Sequence, residues 1–161
     1  MQEIFKPLGN PYRGTGFTQQ FRRRSREFFG YMCVFCGSDR SKKLEVHHVH
    51  YNPDHVIDEM DYLSHVVPLC TGCHRYTIGH EDWKEFWANL YDWFIDEQCG
   101  GRYLMPRDGT AYPIEFVPVA NIICDKTVIH TSSGSIIIPV WAREIASLSR
   151  TSCLRWEDVI K

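Results

Sequence analysis

The sequence lacks several features that would assign it to a membrane, secreted or repeat protein. No apolar run approaches the roughly 18 residues that a membrane-spanning helix needs, so no membrane partner is expected. The first residues have no apolar core of the kind found in signal peptides, and repeats and low-complexity tracts are absent. Positive charge is not in excess either. With 18 Lys and Arg against 20 Asp and Glu, the net charge of −2 argues mildly against a protein that coats nucleic acid by charge alone.

An even set of cysteines is also missing, which argues against a disulfide framework. Of the 7 cysteines, four form two Cys-x-x-Cys pairs, and Cys99, Cys124 and Cys153 are scattered. This usage fits a reducing cytoplasm. Hydrophobic residues make up 43% of the 161 positions and aromatic residues 14%, so the composition predicts a packed core.

The order of helix and strand signals predicts an α+β protein in three parts. Residues 1–30 form an arm and a basic helix, residues 31–99 form a metal-site module with a following helix, and residues 100–161 form a small β-rich region of unknown role. Predicted helices cover 19–31, a segment from about 71, 81–97 and 141–148, and predicted strands cover 44–49, 65–69, 114–119, 121–124, 127–130 and 135–140. The aromatic stripe of the helix at 81–97 is interpreted as a core face.

The two cysteine pairs predict a structural metal site. Cys33 and Cys36 form the first pair, and Cys70 and Cys73 form the second. Four thiolates in this pattern are typical of a tetrahedral structural Zn²⁺ with Zn–S distances near ~2.3 Å. We assign these residues no catalytic role.

Three histidines close to these pairs predict a second metal centre. His47 and His48 are adjacent in a predicted strand, whose side chains alternate between faces, so they share one ion only if the strand bends or if their roles differ. His74 follows Cys73 at the start of a helix. A strand histidine and a helix histidine can hold one divalent ion while the neighbouring histidine takes a proton from water, which suits phosphodiester hydrolysis. The alternative is that they are further zinc ligands or loop residues.

The motifs L-E-V-H-H-V-H-Y at 44–51 and V-V-P-L-C-T-G-C-H at 66–74 resemble the HNH endonuclease family. The resemblance covers about residues 31–80 and is to the phage and bacterial subset with four zinc cysteines. It implies a zinc-stapled ββα-metal (His-Me finger) core flanked by helices. It also implies that His47 and His74 are ligands of Mg²⁺, Mn²⁺ or another divalent ion, and that His48 is the general base.

The chain departs from the family pattern at two positions. His65 stands where the family usually has Asn or Asp before the second strand, and Ile78 stands where a further histidine often occurs. His80 lies two residues later and becomes a third ligand of the catalytic ion if the helix ends or bends at Gly79. Without it, the ion has two protein ligands together with water and phosphate oxygens, which suits a hard cation.

Candidate phosphate contacts come from two basic segments. The candidates are Arg22, Arg23, Arg24, Arg26, Lys42 and Lys43, and the alternative is a solvated basic face. The histidine motif and the resemblance together predict a metal-dependent endonuclease that nicks or cuts DNA, with RNA as the alternative substrate. The resemblance implies the cytoplasm of a bacterial host of a phage or mobile element as its setting. The rival hypothesis is a non-catalytic zinc-stapled module. In either case residues 100–161 could bind DNA or a protein partner, or form a homodimer.

Overall fold

The computed structural model describes residues 19–39, 43–49, 66–78, 83–99 and 113–149, and they form an α+β fold as predicted. The elements in chain order are α1 (Gln19–Phe28), β1 (Leu44–His48), β2 (Val66–Cys70), α2 (Thr71–Ile78), α3 (Trp83–Cys99), α4 (Val119–Ile123), β3 (Val128–Thr131), β4 (Gly134–Ile137) and α5 (140–149). None of the helices within these ranges is long and apolar enough to cross a membrane.

The strands β1 and β2 form an antiparallel hairpin at the centre of the predicted module. Their register places Leu44 opposite Cys70 and His48 opposite Val66. All five residues of β2 are buried, which matches its uninterrupted apolar sequence. Both α1 and α2 contact the two strands, so the hairpin is covered by helices. Because α2 begins directly after Cys70, the end of β2 and the start of α2 are fixed together.

Helix α1 is amphipathic, and one of its four arginines lies on the packed side. Its buried residues are Phe21, Arg24, Ser25 and Phe28, a spacing of three and four that defines one helical face. Arg24 therefore belongs to the packed face, with only 7% of its surface exposed. Arg24 is the exception to the expectation that the arginines of this helix lie mostly outside, because its position in the helix period decides its direction more strongly than its charge does.

The aromatic stripe of α3 is a core face, as predicted. Trp87, Tyr91 and Phe94 are fully buried on it. Trp87 packs edge-on against Phe35 of the first cysteine pair, with ring centroids 5.4 Å apart. Phe94 packs edge-on against Phe116, at 5.6 Å. Residues from both sides of the predicted boundary at residue 100 thus contribute to one core, while the boundary itself lies outside the described residues.

The C-terminal part contains less β structure than its sequence indicates. The strands β3 and β4, of four residues each, form an antiparallel hairpin, and α5 matches the helix predicted at 141–148. The strand predicted at 121–124 was wrong, since these residues continue or end helix α4. Residues 113–118 have no regular secondary structure, so the strand predicted at 114–119 was wrong as well. Ile114 N donates to Phe28 O at 2.9 Å. Short apolar runs such as 121–124 suit a buried helix as well as a strand, and here burial follows helical spacing.

Candidate metal site and histidine cluster

The first cysteine pair lies in a tight turn. Gly37 N donates to Cys33 O at 2.8 Å, and Cys33 N donates to Ser38 O at 3.0 Å. Gly37 has a φ of +76°, a conformation that residues with a side chain rarely adopt. The turn is also tied to the hairpin, because Val34 N donates to Pro68 O at 3.0 Å. These bonds direct Cys33 and Cys36 towards the end of β2.

The four predicted cysteines come together. Cys70 ends β2, Cys73 lies in the first turn of α2, and the four sulfur atoms all lie within 4.8 Å of one another. Cys36 Sγ and Cys70 Sγ are 3.9 Å apart. A tetrahedron with Zn–S distances near ~2.3 Å has sulfur atoms about 3.8 Å apart, so the arrangement fits zinc. The cluster can therefore hold a metal such as zinc. In the part of the chain that the structure describes, no other group of three or more His, Cys, Asp and Glu side chains meets this criterion.

The three predicted histidines lie beside this cluster. The ring centroids of His47 and His74 are 5.2 Å apart, with the rings edge to face. His47 is 1% exposed, whereas the His74 side chain is 25% exposed. Solvent therefore reaches this pair from the His74 side. His48 follows on β1 and is partly buried. His80, the predicted third ligand, and His65 lie outside the described residues.

Glu45 is a member of this cluster that the sequence reasoning missed. It lies two residues before His47, on the same face of β1, and its carboxylate contacts Nδ1 of His74. A carboxylate that accepts a hydrogen bond from Nδ1–H holds the imidazole in the tautomer whose Nε2 is free to bind a metal. The signal was the spacing E-x-H in a predicted strand, which places both side chains on one face.

Burial keeps both strand histidines in the neutral form. The pKa of His47 is well below its ordinary value, chiefly because the ring is buried and further because His74 and His48 are near. Burial, together with His74 and Arg22, lowers the pKa of His48 to about 4. At neutral pH both imidazoles are therefore uncharged, which is the form that binds a metal or accepts a proton.

Helix α3 forms a wall behind His47. The Tyr91 and Trp83 rings lie 5.8 and 6.4 Å from the His47 ring. The Tyr91 hydroxyl and Thr77 Oγ1 are 3.2 Å apart, and Thr77 Oγ1 donates to Cys73 O at 3.0 Å. Burial raises the pKa of Tyr91 well above its ordinary value, so the phenol stays protonated. This chain of contacts links the second cysteine pair to the packing of His47.

The predicted phosphate contacts are distributed unevenly. Arg23 is exposed and its Nε donates to Glu27 Oε1 at 2.9 Å, while Arg26 Nε donates to Leu44 O at 3.1 Å. Arg22 lies near enough to His48 to lower its pKa. A surface groove of about 670 Å³ is lined by Gln19, Gln20, Arg22, Arg23 and Arg26. Lys43 is exposed, the buried Arg24 does not line the groove, and Lys42 lies outside the described residues.

Comparisons with protein-family models, with curated proteins and with solved structures found no match. The roles of the histidines and arginines therefore stay predictions.

Proposed function

We propose that this protein is a metal-dependent endonuclease of the HNH type that hydrolyses phosphodiester bonds in DNA. The observation that carries the proposal is the meeting of His47 from β1 with His74 from α2, at 5.2 Å between ring centroids, next to the four-cysteine cluster. The resemblance implies this arrangement: two short strands followed by a helix, with a histidine of the strand facing a histidine of the helix. Glu45 at Nδ1 of His74 adds a feature typical of metal-binding histidines.

In this proposal each histidine has one role. His47 and His74 hold a divalent ion such as Mg²⁺ or Mn²⁺, and Glu45 keeps the His74 ring oriented. The ion, when bound, stabilises negative charge on the phosphate and on the leaving oxygen. His48, neutral at pH 7, accepts the proton of the attacking water. His80 remains the predicted third ligand.

The proposed substrate path follows the basic groove of α1. Arg22 lines that groove and is electrostatically coupled to His48, so a phosphate held by Arg22 lies near the proposed general base. Arg23 and Arg26 line the groove as well, and Arg23 and Lys43 are exposed. Contacts of this kind fix the position of the nucleic-acid backbone without reading its sequence. They are compatible with DNA and with RNA.

The test is nicking of supercoiled plasmid by the purified protein with Mg²⁺ or Mn²⁺. We expect His48→Ala to lose about 10²–10⁴ in rate, the usual cost of removing a positioned general base, with its circular dichroism and zinc content unchanged. His130→Ala is the matched control, because His130 is exposed on β3 and its ring bonds Ser135 on the neighbouring strand. A parallel assay on labelled RNA separates the two substrates. Wild-type rates in His48→Ala would remove His48 from the mechanism.

A non-catalytic module that binds a protein or a nucleic acid is the second candidate. It is favoured by the burial of His47, which packs against Tyr91 and Trp83 as a core histidine would. The exposed Ile78, at a position where the resembled family often has histidine, favours it too. Folded, zinc-loaded protein that cuts neither DNA nor RNA with any divalent ion would support this module and contradict the endonuclease.

A further inference from the structure

Helix α5 reaches the four-cysteine cluster through one hydroxyl group. Ser149 Oγ lies 2.8 Å from Cys73 Sγ, although the two residues are 76 positions apart in the chain. Ser149 is 2% exposed. A buried serine near the end of a helix commonly bonds a carbonyl of its own helix. Here the hydroxyl instead contacts the sulfur of a candidate metal ligand, which indicates a role at the four-cysteine cluster.

The Ser149 hydroxyl can donate a hydrogen bond to the negative charge that the cysteine sulfurs carry when they bind a metal. Four thiolates around one Zn²⁺ leave a net negative charge, and Cys33, Cys70 and Cys73 are almost completely buried. Negative charge held away from water is costly unless hydrogen bonds are donated to it. A hydroxyl has a proton to donate, whereas a thiolate can only accept. The direction of the bond is thus set once the metal is bound.

Ser149 is held in place by the packing of the rest of α5. Ala142 and Ala146 of this helix are fully buried, and the Trp141 ring lies 6.0 Å from that of Trp87. Ser147, two residues before Ser149, is exposed on the opposite side of the helix. The hydroxyl therefore meets Cys73 only when α5 is docked on the core.

We propose that Ser149 is a positioning residue of the four-cysteine metal site, whose hydroxyl donates to Cys73 Sγ and couples the docking of α5 to retention of the metal. Coupling of this kind is reciprocal: a metal that is held more tightly when α5 is docked also holds α5 more tightly. The inference goes beyond endonuclease activity and does not depend on it.

The test compares Ser149→Ala with Ser147→Ala in the full-length chain. Hydrogen bonds to metal ligands contribute about 10–100-fold to metal affinity. We therefore expect Ser149→Ala to bind Zn²⁺ at least ~10-fold more weakly in competition with a chromophoric chelator. In the Co²⁺-substituted protein, the thiolate-to-cobalt charge-transfer band should move to lower energy, because a thiolate without its hydrogen bond is a better electron donor. Ser147→Ala should match the wild type in both measurements.

Two results would overturn the proposal. One is an unchanged zinc affinity in Ser149→Ala, and the other is an unchanged charge-transfer band, which would mean that Ser149 acts by packing alone. If Ser149→Ala does not fold, Ser149→Thr replaces it, since threonine keeps the hydroxyl. That variant is expected to fold with the wild-type cobalt band, and a shifted band in it would count against the proposal.

Discussion

Replacing Gly37 with alanine tests how firmly the first cysteine turn is held against the C-terminal part. Gly37 has a φ of +76°, and a Cβ atom at this position would lie 2.7 Å from Pro118 Cγ. Real Cβ atoms essentially never come this close to a neighbour. The proline ring cannot rotate away, and the next residue is fixed because Val119 N donates to Val34 O at 2.9 Å. Alanine therefore brings both backbone strain and a steric clash.

The two costs have different sizes and can be separated. A left-handed conformation costs a residue with a side chain about 1–2 kcal/mol, and overpacking a fixed neighbour costs about 1–3 kcal/mol. Gly37→Ala should thus lower the free energy of unfolding by roughly 2–5 kcal/mol. Gly30→Ala is the matched control, because Gly30 has a φ of +64° and no atom of the described residues lies within 4 Å of the point that an alanine Cβ would occupy. Gly30→Ala should lower the free energy of unfolding by only about 1–2 kcal/mol.

The assay is urea unfolding of both variants and the wild type at one buffered free zinc concentration, because bound metal adds to the apparent stability. Midpoints and slopes are followed by tryptophan fluorescence. We expect the midpoint of Gly37→Ala to fall further than that of Gly30→Ala, with similar slopes. Equal decreases in the free energy of unfolding of the two variants would mean that Pro118 does not clash with a side chain at position 37, and would refute the reasoning.

Three further predictions concern the site. Glu45→Gln should raise the Mn²⁺ concentration needed for half-maximal nicking by about 10–100-fold, because Gln holds His74 less well. It should change the free energy of unfolding by less than about 1 kcal/mol, because Glu45 is half exposed. A wild-type dependence of nicking on Mn²⁺ would contradict this prediction. Cys33→Ser should give unfolded protein without zinc, since structural zinc supplies about 10–16 kcal/mol, and a folded, zinc-free variant in circular dichroism would contradict it. The double variant Arg22→Gln, Arg23→Gln should reduce the slope of log affinity for DNA against log salt concentration by roughly 2. An unchanged slope in filter binding would exclude both arginines as phosphate contacts.

The cysteine cluster was predictable from the sequence because its information is local. A Cys-x-x-Cys pair fixes a turn, and two pairs leave little choice of partner. Alternation along β1 could also have revealed Glu45, since it shares a face with His47. Arg24 was not singled out because four arginines within the five positions 22–26 of a helix must place at least one of them near the packed face, and charge alone does not say which. Helical phase would have done so.

The contacts that could not be predicted join residues far apart in the chain. Val119 N and Ala120 N donate to the carbonyls of Val34 and Phe35, which draws residues 119–123 towards the cysteine turn as a helix. Ser149 reaches Cys73 in the same way. No local spacing encodes such pairs, because they depend on how the whole core closes. The α+β class and the strands predicted at 127–130 and 135–140 needed only local patterns. The class was confirmed, and β3 and β4 lie at these two places in the chain.

Cys73 connects the candidate metal site, helix α5 and the histidines. Its sulfur contacts Ser149, its carbonyl accepts from Thr77, and His74 follows it directly in the chain. A metal held by Cys73 therefore fixes the backbone that positions His74 against His47. Misplacing a catalytic group by about 1 Å can cost 10²-fold in rate. A zinc ion that takes no part in the chemistry would therefore still affect the rate of the proposed reaction, because it fixes the position of His74 relative to His47.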